Sequence, residues 1–412
     1  MPKNADPGAV IFLSYDGALE PLGASQVVAY LERLASRHAI TLLSFEKPVD
    51  LADSGRVAAL RSHLARAGIR WLPLRYHKRP TLPATAWDVL HGIVVAIREV
   101  RRRRIGIVHA RGYVTALIAL VLQRLCGVRF LFDMRGFWAD EKLDAGHWTA
   151  SSATYRVTKR FERRFFASAD GIVSLTAAGT AAMRDHGYPI RKNVPIEVIP
   201  TCTDLERFTP GPRDADLAAS LGVTGGRVVG CVGTMSNWYL RGPMLQYLAH
   251  VTSVFEDLTV LVVTQEDQDR LRRDAIAAGL PPARLRMTRV AFAEMPRYVR
   301  LMDVGLFFIK ATFSKKGSMA TKLGEFLATG VPVIINDGVG DSGEIVRKDG
   351  VGIVLPELTC EAFRASRWDV EALLNDPDIA RRCRASATEH FDLERGVTKY
   401  EALYAAVRRP RA

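Results

Sequence analysis

Residues 303–335, DVGLFFIKATFSKKGSMATKLGEFLATGVPVII, decide how the rest of the chain is read. Asp303 to Ile309 is an apolar run short enough for a buried strand, and Val331 to Ile335 is a second. Between them Leu323, Phe326 and Leu327 share one helical face, Gly330 closes the helix and Pro332 follows it. The pattern predicts strand, loop, helix, strand, with a helix over 319–329 and Ser318 as its N-cap. The opposite helical face carries Ser318, Thr321, Lys322 and Glu325, while Lys310, Lys315 and Lys316 stand in the loop before it. A helix start with unsatisfied N–H groups, at the C-terminal end of a parallel strand, suits a phosphate. Glu325 can accept hydrogen bonds from a pair of sugar hydroxyls. A plain βαβ unit with a solvated polar face has the same periodicity, so pattern alone leaves both readings open.

Working outward, a chain of 412 residues is too long for one ordinary core, and two domains are expected. A hydrophobic content of 48% with 25% charged residues is that of a globular protein, without an apolar run long enough to span a bilayer. The N-terminus, MPKNADPGAV, has no secretory pattern, and five widely spaced cysteines show no metal-ligand spacing. A cytoplasmic location is the expectation. The net charge of +13 points to a nucleic acid, an anionic membrane or a phosphorylated substrate. The excess is clustered: Arg101 to Arg104 form one run, and Arg156, Lys159, Arg160, Arg163 and Arg164 form another, interleaved with Val157, Phe161 and Phe165. The second run is a basic stripe beside an apolar one, either a core-facing helix with a solvated back or a helix facing a membrane surface.

Ala9 to Ser14, the glycine-bearing loop YDGALEPLGASQ and a helix from Ala24 or Ser25 make a strand–loop–helix opening of Rossmann-like form. Strands are expected at Ile40–Ser44, Trp71–Leu74, Ile105–His109, Phe130–Phe132 and Ile196–Pro200, with a loop over Thr81–Pro83 and a helix over Trp87–Val100. Arg111 and Asp133 with Arg135 follow two of these strands, where α/β sheets place their sites, and the arginines can reach a diphosphate or an anionic acceptor. Structural ion pairs with Asp133, Asp140 or Glu141 are the competing role. After the polar connector TCTDLERFTPGPRD the alternation begins again, with strands at Arg227–Cys231, Val260–Val263, Leu285–Val290 and Gly305–Ile309 and a loop opened by Gly233 and Thr234. A last helix, Leu393 to Val407, spaces Val397, Tyr400, Leu403 and Tyr404 as a core stripe.

The run Glu325 to Val333 (EFLATGVPV) resembles the donor-binding segment of retaining glycosyltransferases of family 4. Tyr15–Gln26, Phe130–Glu141 and Pro200–Pro210 resemble the same family, the first in a form typical of a bacterial, surface-polysaccharide subgroup. The resemblance implies the GT-B arrangement: α/β, two Rossmann-like doubly wound domains facing a cleft. It implies an acceptor-side domain over 1–210, a nucleotide-sugar domain over 211–388 and a C-terminal helix over 389–412 crossing back. It implies transfer of a sugar from a UDP- or GDP-type donor to a hydroxyl of a glycan or lipid-linked acceptor, with configuration retained and no metal or other cofactor. Arg135, Lys310, Lys322 and Glu325 are then the catalytic candidates. Gly23, Gly233, Thr234, Lys315, Lys316, Ser318 and Thr321 are the donor-binding candidates, with Arg111 and Asp133 on the acceptor side. Gly23 is assigned a backbone approach to the phosphate. The chain departs from the family where Thr234 replaces an arginine, with Arg241 as a loose counterpart of a lysine further on, and where Gly317 replaces the first of two paired acids. A nucleotide-sugar epimerase or hydrolase of the same fold and a basic nucleic-acid binder are the alternatives. The expectation is a cytoplasmic enzyme, peripheral on the inner face of an anionic membrane, without nucleic acid as a partner.

Overall fold

The computed structural model describes residues 6–408. Two units gather the chain: one takes in everything up to Pro200, Lys316–Ser318 and the chain from Leu393 onward, the other Thr201–Lys315 and Met319–Asp392. Residue 210, the expected boundary, thus lies inside the second unit.

In the first unit, seven strands pair in the order β3 (Arg70–Arg75), β2 (Ala39–Glu46), β1 (Asp6–Ser14), β4 (Ile105–Arg111), β5 (Arg129–Met134), β6 (Gly171–Ser174) and β7 (Ile196–Val198). Every pairing is parallel. Parallel strands are covered on both faces, which is why β4, β5 and β6 are buried along their whole length. The order reverses between β1 and β4, and the register sets Ser14 level with Arg111. The first helix runs over 21–34, starting with Pro21 and containing a π-helical segment at Ala24–Val28.

Six strands form the second unit's sheet, β10 (Leu285–Thr288), β9 (Leu258–Val263), β8 (Arg227–Val232), β11 (Val304–Phe307), β12 (Val333–Asn336) and β13 (Gly352–Leu355), again all parallel. Here the order reverses between β8 and β11. Both units are doubly wound α/β sheets, as expected of the two Rossmann-like domains.

The C-terminal helix, Leu393–Arg408, belongs to the first unit and buries Tyr400, Leu403, Tyr404 and Val407. It closes on β6 because Gly171 has no side chain: a Cβ there would stand 2.7 Å from Val407 Cγ1.

Two local expectations are corrected. Thr81–Pro83 is not a loop but the first turn of a helix running Thr81–Arg103, since a proline is tolerated where the helical N–H has no partner anyway. The donor-segment helix spans Thr321–Ala328, and its N-cap is Ala320 rather than Ser318, with no side chain capping it. Strand β13 has no counterpart in the sequence reading.

Candidate functional site

In doubly wound sheets ligands settle outside the strand C-termini where the order reverses. In the second unit that point lies between the loops following β8 and β11. The first loop opens with Gly233, whose φ of +78° favours glycine, and whose N–H donates to the Val263 carbonyl (2.8 Å). The two loops are laced together: Leu240 N–H donates to the Phe308 carbonyl and Lys310 N–H to the Trp238 carbonyl, each at 2.9 Å. From β12, the Asn336 amide accepts from Ile309 N–H (2.7 Å) and donates to the Ile309 carbonyl (2.8 Å). The backbone at the mouth of this sheet is therefore fixed on both sides.

Lys322 enters from the first turn of the Thr321–Ala328 helix. It is buried, and Nζ sits 3.7 Å from the centre of the Tyr239 ring and 3.4 Å from the Thr234 carbonyl. A Cβ on Gly233 would come within 3.7 Å of the same Nζ. Lys322 forms no ion pair among the described residues. A buried ammonium without a carboxylate is costly unless something anionic arrives.

Glu325 lies one turn further along and is also buried. Burial pushes its carboxyl up to about 7, with Lys322 and Arg207 pulling the other way. Arg207 is held by the Phe292 carbonyl, its guanidinium 4.1 Å above the Phe292 ring. The sequence linked Arg207 only to the connector, so its electrostatic role toward Glu325 was missed.

Other candidates of this unit divide. Lys315 is buried with Nζ 3.7 Å over the Trp238 ring, so a second cation is stacked on the loop after β8. Lys310 is exposed. Lys316 is also exposed and, with Ser318, is grouped with the first unit. Thr321 is the half-exposed first residue of its helix.

Thr234 faces Glu266, a residue not singled out in the sequence. The Glu266 carboxylate accepts from the hydroxyls of Thr234 and Ser236, from Met235 N–H (3.2 Å) and Ser236 N–H (3.1 Å), and from Arg241 (2.6 Å). Against the effect of burial, these donors hold the carboxyl below its ordinary value. Arg241 pairs with Asp274 as well (3.0 Å), so its charge is already answered.

In the first unit the order reverses between β1 and β4, and the Arg111–Asp16 ion pair joins the last residue of β4 to the loop after β1. Arg111 is buried. Asp133 is buried too, with Arg135 at 3.7 Å, the Tyr400 hydroxyl donating at 3.1 Å and His109 Nε2 at 3.4 Å. Although desolvation opposes it, Arg135 leads the neighbours that hold the Asp133 carboxyl down at about 2. Burial lowers His109, and a neutral imidazole suits its second contact, 2.7 Å between Nδ1 and the Tyr404 hydroxyl. Asp133 thus anchors the C-terminal helix and orients Arg135. Gly23 is needed for a contact other than the one expected: a Cβ would stand 1.9 Å from the Gly17 carbonyl oxygen, so the close approach is within the protein. Glu46 steadies the same loop, accepting from Ala18 N–H (2.8 Å) and Leu19 N–H (3.2 Å).

Residues 23–202 match the family model of the glycosyl transferase 4-like domain. The chain is a glycosyltransferase. A search of curated proteins by sequence finds no match. Among solved structures, a glycosyltransferase from Rickettsia africae aligns with a TM-score of 0.72 at 12% identity, covering 98% of this chain and 99% of that one. HepE from Anabaena, solved in complex with UDP-glucose, gives 0.69 at 17% identity over 96% and 99%. Sucrose-phosphate synthase from Thermosynechococcus elongatus gives 0.71 at 15% over 96% and 98%. At these identities the likeness is one of fold, and the fold shared is GT-B.

Proposed function

We propose that this glycosyltransferase moves a sugar from a nucleoside diphosphate sugar, of UDP or GDP type, to an acceptor hydroxyl with retention of anomeric configuration. The observation that carries the reading is Lys322: a buried ammonium with no ion pair among the described residues, seated at the switch point of the second sheet beside Gly233. The uncapped N–H groups at the start of the Thr321–Ala328 helix add to the same positive potential. HepE's complexes with UDP and with UDP-glucose support the choice of ligand class.

In the reaction the bond between the anomeric carbon and the β-phosphate oxygen breaks, and the diphosphate leaves as an anion. Lys322 and the helix N–H groups, with Lys315 nearby, stabilise the charge that develops on it, and such preorganised stabilisation is where catalysis gains most. Glu325 accepts from the ribose hydroxyls. The acceptor oxygen attacks on the face the diphosphate leaves and passes its proton to the departing phosphate oxygen, so no protein nucleophile and no metal is needed. Arg111 and Arg135 line the acceptor side, Arg135 held in place by Asp133. The acceptor is a saccharide or lipid-linked glycan of surface-glycan synthesis, met at the cytoplasmic face of a membrane.

The test is to incubate the protein with UDP- and GDP-sugars, with and without glycan acceptors and with a chelator. Acceptor-dependent release of nucleoside diphosphate, insensitive to chelation, with a product anomer matching the donor's by NMR, is expected. Release that needs no acceptor would make the protein a hydrolase, and an inverted anomer would remove the front-face step.

A further inference from the structure

Three helices of the first unit, Thr81–Arg103, Tyr113–Cys126 and Ala153–Ser168, enclose a groove of about 970 Å³. Its lining is largely apolar, with Leu117, Leu120 and Phe161, and includes the polar Gln123, Arg129 and Ser168. Leu125 and Phe161 are 57% and 44% exposed, and Trp87, Leu90 and Val94 on the first helix are 60%, 59% and 67% exposed. Positions 87, 90 and 94 follow the helical repeat, so they form one stripe. Large exposed apolar side chains on the same helices as a largely apolar groove point to a site of interaction rather than ordinary surface composition.

The charges on the same helices are one-sided. Arg98, Arg101, Arg102 and Arg103 are exposed on the first, Arg124 on the second, and Arg156, Arg160, Arg163 and Arg164 on the third. The carboxylates of these helices are Asp88, Glu99 and Glu162, and all three are buried. Each is engaged internally: Asp88 by Tyr15 (2.9 Å), Glu99 by Arg70 (2.8 Å), and Glu162 by Tyr188 (2.7 Å). Glu99 also pairs with Arg103 (2.5 Å), and the remaining surface arginines of these helices have no carboxylate partner on them among the described residues. Arg124 and Arg164 stand on the rim of the groove itself.

We propose that this three-helix face docks on an anionic lipid bilayer, with the arginines on the headgroups and the groove receiving an acyl chain. Basic residues flanking exposed apolar ones match the two layers of a bilayer surface, the charge meeting anionic headgroups and the apolar stripe the acyl boundary. Nucleic acid would use the arginines equally but leaves a largely apolar groove without a partner, since single strands are held by stacking on aromatics. No helix among the described residues is long and apolar enough to cross a membrane, so the contact is with the surface. The inference deepens the reading of a membrane-face acceptor, yet it stands on the first unit alone and needs nothing from the donor site.

The test is cosedimentation of the full chain with vesicles of phosphatidylcholine, with or without phosphatidylglycerol. Binding is expected only to the anionic vesicles and should weaken with salt. Arg124→Gln/Arg160→Gln/Arg164→Gln should lower it on the order of fivefold per arginine, so roughly a hundredfold in all. Trp87→Phe should remove much of the fluorescence quenching by acyl-brominated lipid. Equal binding by wild type and the triple variant, no binding to anionic vesicles at low salt, or displacement of the vesicles by random oligonucleotide at lower concentration would each overturn the proposal. Melting curves of the variants check folding. UDP affinity is read separately, so loss of donor binding in the wild type would sink the reading of the donor site without touching this one.

Discussion

Replacing Glu325 by glutamine separates what that carboxyl costs the fold from what it gives the ligand. Burial raises it from an ordinary 4.5 to about 7. At 1.36 kcal/mol per pH unit, that is a pH-dependent term of about 3 kcal/mol. The sign follows from proton binding. Between about pH 4.5 and 7 the folded chain keeps a proton that the unfolded chain has released, so stability falls as pH rises through that window and levels off above it. Glutamine cannot ionise. The difference in stability between Glu325→Gln and wild type should therefore grow in the variant's favour from pH 4.5 to 7, by up to about 3 kcal/mol, or several degrees of melting temperature for a domain of this size. The amide's own fit in the pocket cancels in this comparison across pH. Nucleotide binding should move the opposite way. Ribose hydroxyls donate to the ionised form, so wild-type affinity for UDP should climb to about pH 7 and then flatten, while the variant binds roughly 10- to 100-fold more weakly and without that slope. Melting curves and titration calorimetry across pH 4.5–8 check both halves. Parallel pH dependence of melting in the two proteins would refute the burial argument, and unchanged nucleotide affinity would take Glu325 out of the site.

Lys322→Met should lower kcat/KM on the order of 10²–10³-fold, the scale of losing one preorganised charge stabiliser, while leaving the melting temperature equal or higher because an unpaired buried cation is removed; steady-state kinetics and a thermal melt read the two effects. Gly23→Ala drives a methyl onto the Gly17 carbonyl and should cost about 1–3 kcal/mol in urea denaturation, with no change in the pH profile of UDP binding. Tyr400→Phe removes the hydroxyl that donates to Asp133 and should destabilise the first unit by about 1–3 kcal/mol, seen as faster amide exchange in the Leu393–Arg408 helix.

The fold was legible because parallel strands buried on both faces read as short apolar runs. Runs such as Val260–Val263 and Phe130–Phe132 sit inside β9 and β5, extended by a few residues. Where the reading failed, a second force was at work. Ser318 is a good N-cap by composition, yet the chain adopts a 3₁₀ turn at Phe313–Gly317 and the helix begins at Thr321, so Ala320 holds the cap position. Strand β13, GIVL, is too short to stand out from its flanks and is fixed by pairing with β12. Lys322 and Glu325 were singled out because both lie within one motif, and the structure buries both on one helix. Glu266 and Arg207 were not, because their effects on Thr234 and Glu325 depend on the folding of distant segments. Gly23 was singled out for a backbone approach to a phosphate, whereas what its missing Cβ makes room for in the structure is the Gly17 carbonyl.

The replacement of an arginine by Thr234 then has a physical account. Thr234 is not a weaker anion binder standing in for the lost cation; its hydroxyl is consumed by Glu266. Arg241, the loose counterpart of a lysine, is consumed by Glu266 and Asp274 together. The loop after β8 therefore carries little net positive charge toward the sheet's switch point, and what it does present is the ring faces of Trp238 and Tyr239. Those faces hold the Lys315 and Lys322 ammonium groups at 3.7 Å. A ring face attracts an ammonium without neutralising it, unlike a carboxylate, so the Lys322 charge can act on the diphosphate proposed to bind here. In the proposed donor site the Thr321–Ala328 helix supplies the cation and the loop after β8 aims it. Trp238→Ala and Tyr239→Ala should then weaken UDP binding although neither side chain carries charge, whereas Arg241→Ala should act on the melting temperature first.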